Sequence, residues 1–185
     1  MRLFIGIPLA YATAHDVAGV VNQLRSQTTE YADALRWSAP ESWHITLQFL
    51  GSTAPQQYEC IRNHLRERRH PAFEIQLGAL DTFDHAGVLF VDVRVTPQLL
   101  ALQQSVTAVT APCGFTPEDR PYHPHITLAR RKGRTGGREL RNMKLQIQPT
   151  KLPSFTAETL ILYESVPTPG GSRYEIREQF PFGAG

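Results

Sequence analysis

A tetrapeptide with the means for acid–base chemistry occurs twice in this chain of 185 residues, as His44-Ile45-Thr46-Leu47 and as His125-Ile126-Thr127-Leu128. Each half of the chain holds one copy. Imidazole is the side chain whose ordinary pKa lets one copy be neutral and the other protonated near pH 7. A pair poised in that way supplies a general base and a general acid. On a strand, residues i and i+2 share a face, so each His projects beside its Thr while the Ile and Leu turn inward. Two such faces meeting across a cleft suit in-line displacement at phosphorus. One imidazole takes a proton from water, the other gives one to the departing oxygen, and the hydroxyls hydrogen-bond the non-bridging oxygens. The scheme requires no metal. A lone His is more often a satisfied polar residue and a lone Thr a strand former; the duplication lifts both above that reading.

Other candidates are weaker. His123 and His125 have the i, i+2 spacing of a metal pair on a strand, but no third ligand set accompanies them and the first motif has no counterpart to His123. His15, His64, His70 and His85 read as surface residues and Trp37 as core. Cys60 and Cys113 form no metal or redox spacing and are too few to staple a secreted fold. The net charge of +2 says nothing about partners. Its distribution says more, since all but Lys132, Lys144 and Lys151 of the 19 basic residues are arginine. Seven of them (Arg130, Arg131, Lys132, Arg134, Arg138, Arg141, Lys144) fall between 130 and 144 against one acid, Glu139. Guanidinium forks match phosphate oxygens, and the position after the second motif favours a phosphate-facing rim over a plain solvated loop broken by Gly133, Gly136 and Gly137.

The elements around the motifs also repeat. Leu3 to Ile7 reads as a buried strand, followed by a helix with apolar residues at Ala14, Val17, Val21 and Leu24. Val88 to Val95 reads as a strand, followed by a helix with Leu99, Leu102, Val106 and Val109 at the same spacing. Thr13 with Asp16, and Thr96 before Pro97, read as the helix starts. Further strands are expected over Phe73 to Leu80 and Phe155 to Tyr163. A third helix from Pro55 to about Arg69 turns Tyr58, Ile61 and Leu65 inward. A hairpin runs from Leu160–Ser165 through Pro167, Pro169, Gly170 and Gly171 to Arg173–Phe180. The expectation is an α+β fold: one bilobal domain over 1–185, with repeats of roughly 1–80 and 86–165. In it two antiparallel sheets, related by a pseudo-twofold axis, face a central cleft with helices packed outside.

These residues resemble the 2H phosphoesterase superfamily, and within it the RNA 2′,3′-cyclic phosphodiesterases, also called 2′-5′ RNA ligases. The resemblance covers nearly the whole chain. It rests on Met1-Arg2-Leu3-Phe4-Ile5-Gly6-Ile7-Pro8-Leu9, on Arg36-Trp37 and Pro40-Glu41 leading into His44-Ile45-Thr46-Leu47-Gln48-Phe49-Leu50-Gly51, and on Pro124-His125-Ile126-Thr127-Leu128-Ala129-Arg130. Tyr163-Glu164-Ser165 and Gly171-Ser172-Arg173-Tyr174 complete it. It implies hydrolysis of a terminal 2′,3′-cyclic phosphate on RNA to a 2′-phosphomonoester, with 2′-5′ ligation as the reverse chemistry and no cofactor. By the family pattern His44 and His125 are the catalytic pair, Thr46 and Thr127 hold the phosphate, and Arg130 binds substrate. His44 is taken as acid to the 3′-oxygen and His125 as base, a choice that the symmetry of the motif leaves open. Strict alternation turns Arg130 away from His125, unless the strand ends or bulges by Ala129 or the side chain reaches over the rim. Tyr11, Phe49 and Tyr122 are candidates to stack a base, and the sequence selects none of them.

The apolar segments are too short for a membrane helix. The start lacks a signal peptide's apolar run and cleavage site, so the cytoplasm is expected. The internal duplication supplies both motifs in one chain, so a monomer suffices, and the resemblance implies an RNA end as its partner. Two readings compete: a non-catalytic RNA-binding module using the 130–144 segment, and a phosphodiesterase of another small cyclic phosphate.

Overall fold

The computed structural model describes residues 1–29, 34–132, 137–147, 151–169 and 171–183. β1 (Arg2–Pro8) is followed by α1 (Tyr11–Gln27), β2 (Leu35–Trp37), β3 (His44–Ser52), α2 (Pro55–Arg66), β4 (Phe73–Ile75) and β5 (Leu77–Phe83). The second half repeats the plan with β6 (Val88–Val93), α3 (Pro97–Thr110), β7 (His125–Arg131), α4 (Gly137–Gln146), β8 (Phe155–Ala157) and β9 (Thr159–Thr168), and β10 (Gly171–Pro181) closes the chain. Strand order is β10-β9-β1-β3 in one four-stranded sheet and β2-β7-β6-β5 in the other, with β4 and β8 forming a small pair. All pairings between these strands are antiparallel. This is the expected α+β arrangement, with one departure. Each half sends its last strand to the other half's sheet: β5 pairs with β6, and β9 with β1. β2 likewise crosses over to β7.

The leading helices bury most of the stripe read from the sequence: Val17, Val21 and Leu24 on α1, where Ala14 is half-buried, and Leu99, Leu102, Val106 and Val109 on α3. Burying each such side chain stabilises the fold by about 1.5–3 kcal/mol. Thr96 caps α3 by accepting a hydrogen bond from the Leu99 N–H at 3.2 Å, with Pro97 in the first turn. α1 starts earlier than expected. Its N-cap is Ala10, and Thr13 lies buried inside the helix, because its position falls on the core stripe. The strands expected over 73–80 and 155–163 each break in two, at Gln76 and Glu158, where the chain passes from the small pair into a main sheet.

Two expectations are corrected. The 130–144 segment is not a continuous basic loop: α4 begins at Gly137 and buries Leu140 and Met143, and Lys144 pairs with Asp81 at 2.6 Å. Arg131 donates to the His85 carbonyl at 3.3 Å. Gly133, Arg134 and Gly136 lie outside the described residues. Cys60 and Cys113 are joined in a disulfide, since packing of α2 against α3 brings together cysteines 53 residues apart.

β1 sits between β9 and β3, and Gly6 allows the closest approach there. A Cβ at Gly6 would stand 2.8 Å from the Ile45 carbonyl oxygen, a backbone atom that cannot swing aside. Gly6→Ala is expected to destabilise the protein by about 1–3 kcal/mol and to displace the strand bearing His44. Chemical denaturation of the variant against wild type measures it; an unchanged midpoint would refute the close-packing argument.

Candidate active site

β3 and β7 approach each other at the seam between the two sheets, and their polar faces line one cleft of about 400 Å³. His44, Thr46, His125, Thr127 and Arg130 all line it, together with Arg2, Ser38, Ser42, Phe49 and Tyr174. Ile45, Leu47, Ile126 and Leu128 are buried beneath. The structure therefore brings all five residues singled out in the sequence to one place.

How Arg130 reaches the cleft is visible in the ladder. β7 pairs with β6 as Leu89↔Ala129 and then Phe90↔Thr127, so Leu128 is an extra residue and the strand bulges. Leu128 and Ala129 are both buried in succession, which returns Arg130 to the face of His125. β3 does the same. It pairs as Ile5↔Gln48 and then Gly6↔Thr46, leaving Leu47 as the extra residue. Leu47 and Gln48 are buried in succession, and Phe49 emerges on the cleft. Arg130 and Phe49 hold the same place in the two motifs, five residues after their histidines. One lobe offers a cation there and the other an aromatic ring, 57% exposed. Tyr11 does not line the cleft. Tyr122 is also occupied otherwise, its hydroxyl donating to the Thr46 carbonyl at 3.1 Å, and burial raises its pKa.

Each catalytic candidate is held by the same device. The His44 Nδ1–H donates to the Ser42 carbonyl at 2.7 Å, and the His125 Nδ1–H to the His123 carbonyl at 2.9 Å. A carbonyl only accepts, so Nδ1 carries the proton in both rings and Nε2 is left for chemistry. Both rings rest on aromatic side chains. His44 lies 4.7 Å from Phe4, 5.5 Å from Tyr163 and 5.0 Å from Tyr174, ring centre to ring centre. His125 lies 5.1 Å from Phe83 and 5.4 Å from Phe90. These apolar beds desolvate the imidazolium forms. The pKa of His44 falls to about 4, chiefly by burial, with the positive charges of His125 and Arg130 adding to the effect against the Ser42 hydrogen bond. The pKa of His125 is also lowered, again chiefly by burial, with Asp92 opposing.

The remaining histidines behave differently. His123 Nε2 faces Asp92 Oδ1 at 3.1 Å, so this ring is engaged by a carboxylate. His15 and His85 are exposed as expected, whereas His70 is half-buried against Phe182 and His64 half-buried beside the disulfide. Trp37 lies half-buried outside the cleft with the Arg25 guanidinium 5.5 Å from its ring centre. Reading the sequence missed the aromatic bed itself: Phe4 and Tyr163 were legible as strand residues, and their packing against His44 was not.

The sequence pattern of the 2′-5′ RNA ligase superfamily matches residues 13–166. The chain belongs to that superfamily. Curated relatives include the RNA 2′,3′-cyclic phosphodiesterase of Aeropyrum pernix, 27% identical over 86% of this chain and 93% of the relative. Another is that of Bacillus subtilis, 30% identical over 69% of this chain and 70% of the relative. Among solved structures, E. coli LigT complexed with 3′-AMP superposes with a TM-score of 0.77 at 23% identity, covering 98% of this chain and 97% of that one. TT0787 of Thermus thermophilus gives 0.76 at 24% identity, covering 100% and 99%. At that identity these two show a shared fold.

Proposed function

We propose that this member of the superfamily hydrolyses the 2′,3′-cyclic phosphate at an RNA end to a 2′-phosphomonoester, by acid–base catalysis from His44 and His125 without a metal. The observation that supports it best is the pair of Nε2 atoms left free in one cleft by twin Nδ1–H···O=C bonds. Relatives named as RNA 2′,3′-cyclic phosphodiesterases support the substrate and the hydrolase class. In this reading His125 Nε2 takes a proton from water as its oxygen attacks phosphorus. The bond from phosphorus to the 3′-oxygen breaks, and His44 Nε2–H delivers a proton to that oxygen. Thr46, Thr127 and Arg130 bind the non-bridging oxygens, and Phe49 stacks the terminal base, a contact worth about 1–3 kcal/mol. A 5′-hydroxyl in place of water gives 2′-5′ ligation by the same steps.

The cleft sets the pH dependence. With both imidazole pKa values below the usual 6.5, the free enzyme holds neither Nε2 proton at pH 7. An anionic phosphate between the rings favours the imidazolium and raises those pKa values. The profile of kcat/KM, which reports the free enzyme, is therefore expected to be a bell centred below pH 6.5. The profile of kcat should lie at higher pH. A kcat/KM optimum above pH 7.5 would contradict this electrostatic account.

In the same reading residues 1–185 work as one bilobal unit and as a monomer, because one chain supplies both motifs. No helix among the described residues is long and apolar enough to cross a membrane; we place the protein in the cytoplasm, with its RNA substrate. Turnover of a short RNA with a 2′,3′-cyclic phosphate end in excess EDTA tests the metal-free claim. Unchanged rate is expected; loss restored by added zinc would assign the chemistry to a metal.

A further inference from the structure

Outside the cleft, one cluster of reactive side chains among the described residues is unexplained by phosphodiester chemistry. The Cys60–Cys113 disulfide joins α2 to the turn that ends α3. His64, one helical turn after Cys60, puts its Nδ1 3.5 Å from Cys60 Sγ and 3.7 Å from Cys113 Sγ. These three ligand-capable atoms lie within 4.8 Å of one another. The same Nδ1 stands 2.9 Å from the Cys60 carbonyl oxygen, which requires a proton on Nδ1. That proton goes to the Cys60 carbonyl in the oxidised protein, with both sulfurs close enough for it to turn to a thiolate formed there, whereas metal ligation would need the bare lone pair. The two residues also differ in exposure: Cys113 is 7% exposed and Cys60 is half-buried.

We propose that this bridge is a thiol–disulfide exchange site for low-molecular-weight thiols. An incoming thiolate attacks the Sγ of Cys60, the more exposed residue of the pair, the Cys60–Cys113 bond breaks, and Cys113 departs as a thiolate to which the His64 Nδ1–H turns from the Cys60 carbonyl. The products are a mixed disulfide on Cys60 and a free Cys113 thiol. A second thiol then releases Cys60 and leaves as the symmetric disulfide, so no further oxidant or reductant enters. Placement in a reducing compartment, part of the reading above, makes a permanent staple the less suitable role. A donor beside the sulfurs lowers the leaving thiol's pKa and quickens exchange. The turn so tethered also braces the strand of His44, because the Thr110 hydroxyl donates to the Gln48 side-chain oxygen of β3 at 2.7 Å.

The test exposes the oxidised full-length protein to glutathione under native conditions, with intact-mass and peptide mapping. One glutathione on Cys60 and a free Cys113 are expected. His64→Phe should slow the opening by about 10–100-fold, the worth of one hydrogen bond to a charged group. Cys113→Ser, which keeps Cys60 alone, should accept glutathione from its disulfide, and Cys60→Ser should accept far less. Opening only at the rate of global unfolding, an adduct on Cys113, or an unchanged rate in a folded His64→Phe would overturn the proposal. So would one zinc retained per reduced chain after dialysis, which would make the cluster a metal site. Phosphodiester turnover is not read here, so this outcome and that of the cyclic phosphate assay stand apart.

Discussion

Replacing His44 with alanine lowers kcat on an RNA 2′,3′-cyclic phosphate by about 10²–10⁴-fold, and replacing His125 does the same. The expectation follows from what each ring can do. Both have Nδ1 committed to a backbone carbonyl and Nε2 open to the same cleft, so neither can take over the other's proton without leaving its own oxygen unserved. Because the two act in one step, the double variant should lose much less than the product of the single losses. Both rings are only half-buried and sit at the cleft surface, so the alanine variants should fold; circular dichroism and the melting midpoint check that. A folded single variant that keeps more than about a tenth of wild-type kcat would remove that histidine from acid–base catalysis.

The second large effect separates the two roles. If His44 is the acid, its absence is felt in the protonation of the departing 3′-oxygen. A substrate with sulfur at the 3′-bridging position releases a thiolate, which needs no proton to depart. On that substrate His44→Ala should recover to within about tenfold of wild type, while His125→Ala stays impaired because water must still be deprotonated. The structure sharpens the question. With its pKa lowered to about 4, His44 holds a proton poorly in the free enzyme, so its service as the acid depends on the charge brought by the phosphate. Recovery of His125→Ala instead would reverse the assignment and make the more desolvated ring the base.

Much of this site is legible in the sequence. The doubled His-x-Thr, its strand setting and the helix stripes at Val17–Val21–Leu24 and Leu99–Leu102–Val106–Val109 all follow from local periodicity. What periodicity cannot show is register. The bulges at Leu47 and Leu128 are set by pairing with β1 and β6, and they alone decide that Phe49 and Arg130 face the cleft. Strict alternation pointed Arg130 outward for that reason. The exchange of β5 and β9 between the halves, and the Cys60–Cys113 bridge, depend on contacts distant in sequence. α4 went unread because its buried pair, Leu140 and Met143, is embedded among glycines and basic residues whose composition signals a loop.

The measurement that reaches the central claim most directly is ³¹P NMR of a short RNA 2′,3′-cyclic phosphate incubated in EDTA, with wild type and with the His44→Ala/His125→Ala double variant. Growth of a 2′-phosphomonoester resonance with wild type, absent with the double variant, is the result predicted. Equal conversion by the double variant, or none by wild type on this substrate, would contradict a two-histidine RNA cyclic phosphodiesterase.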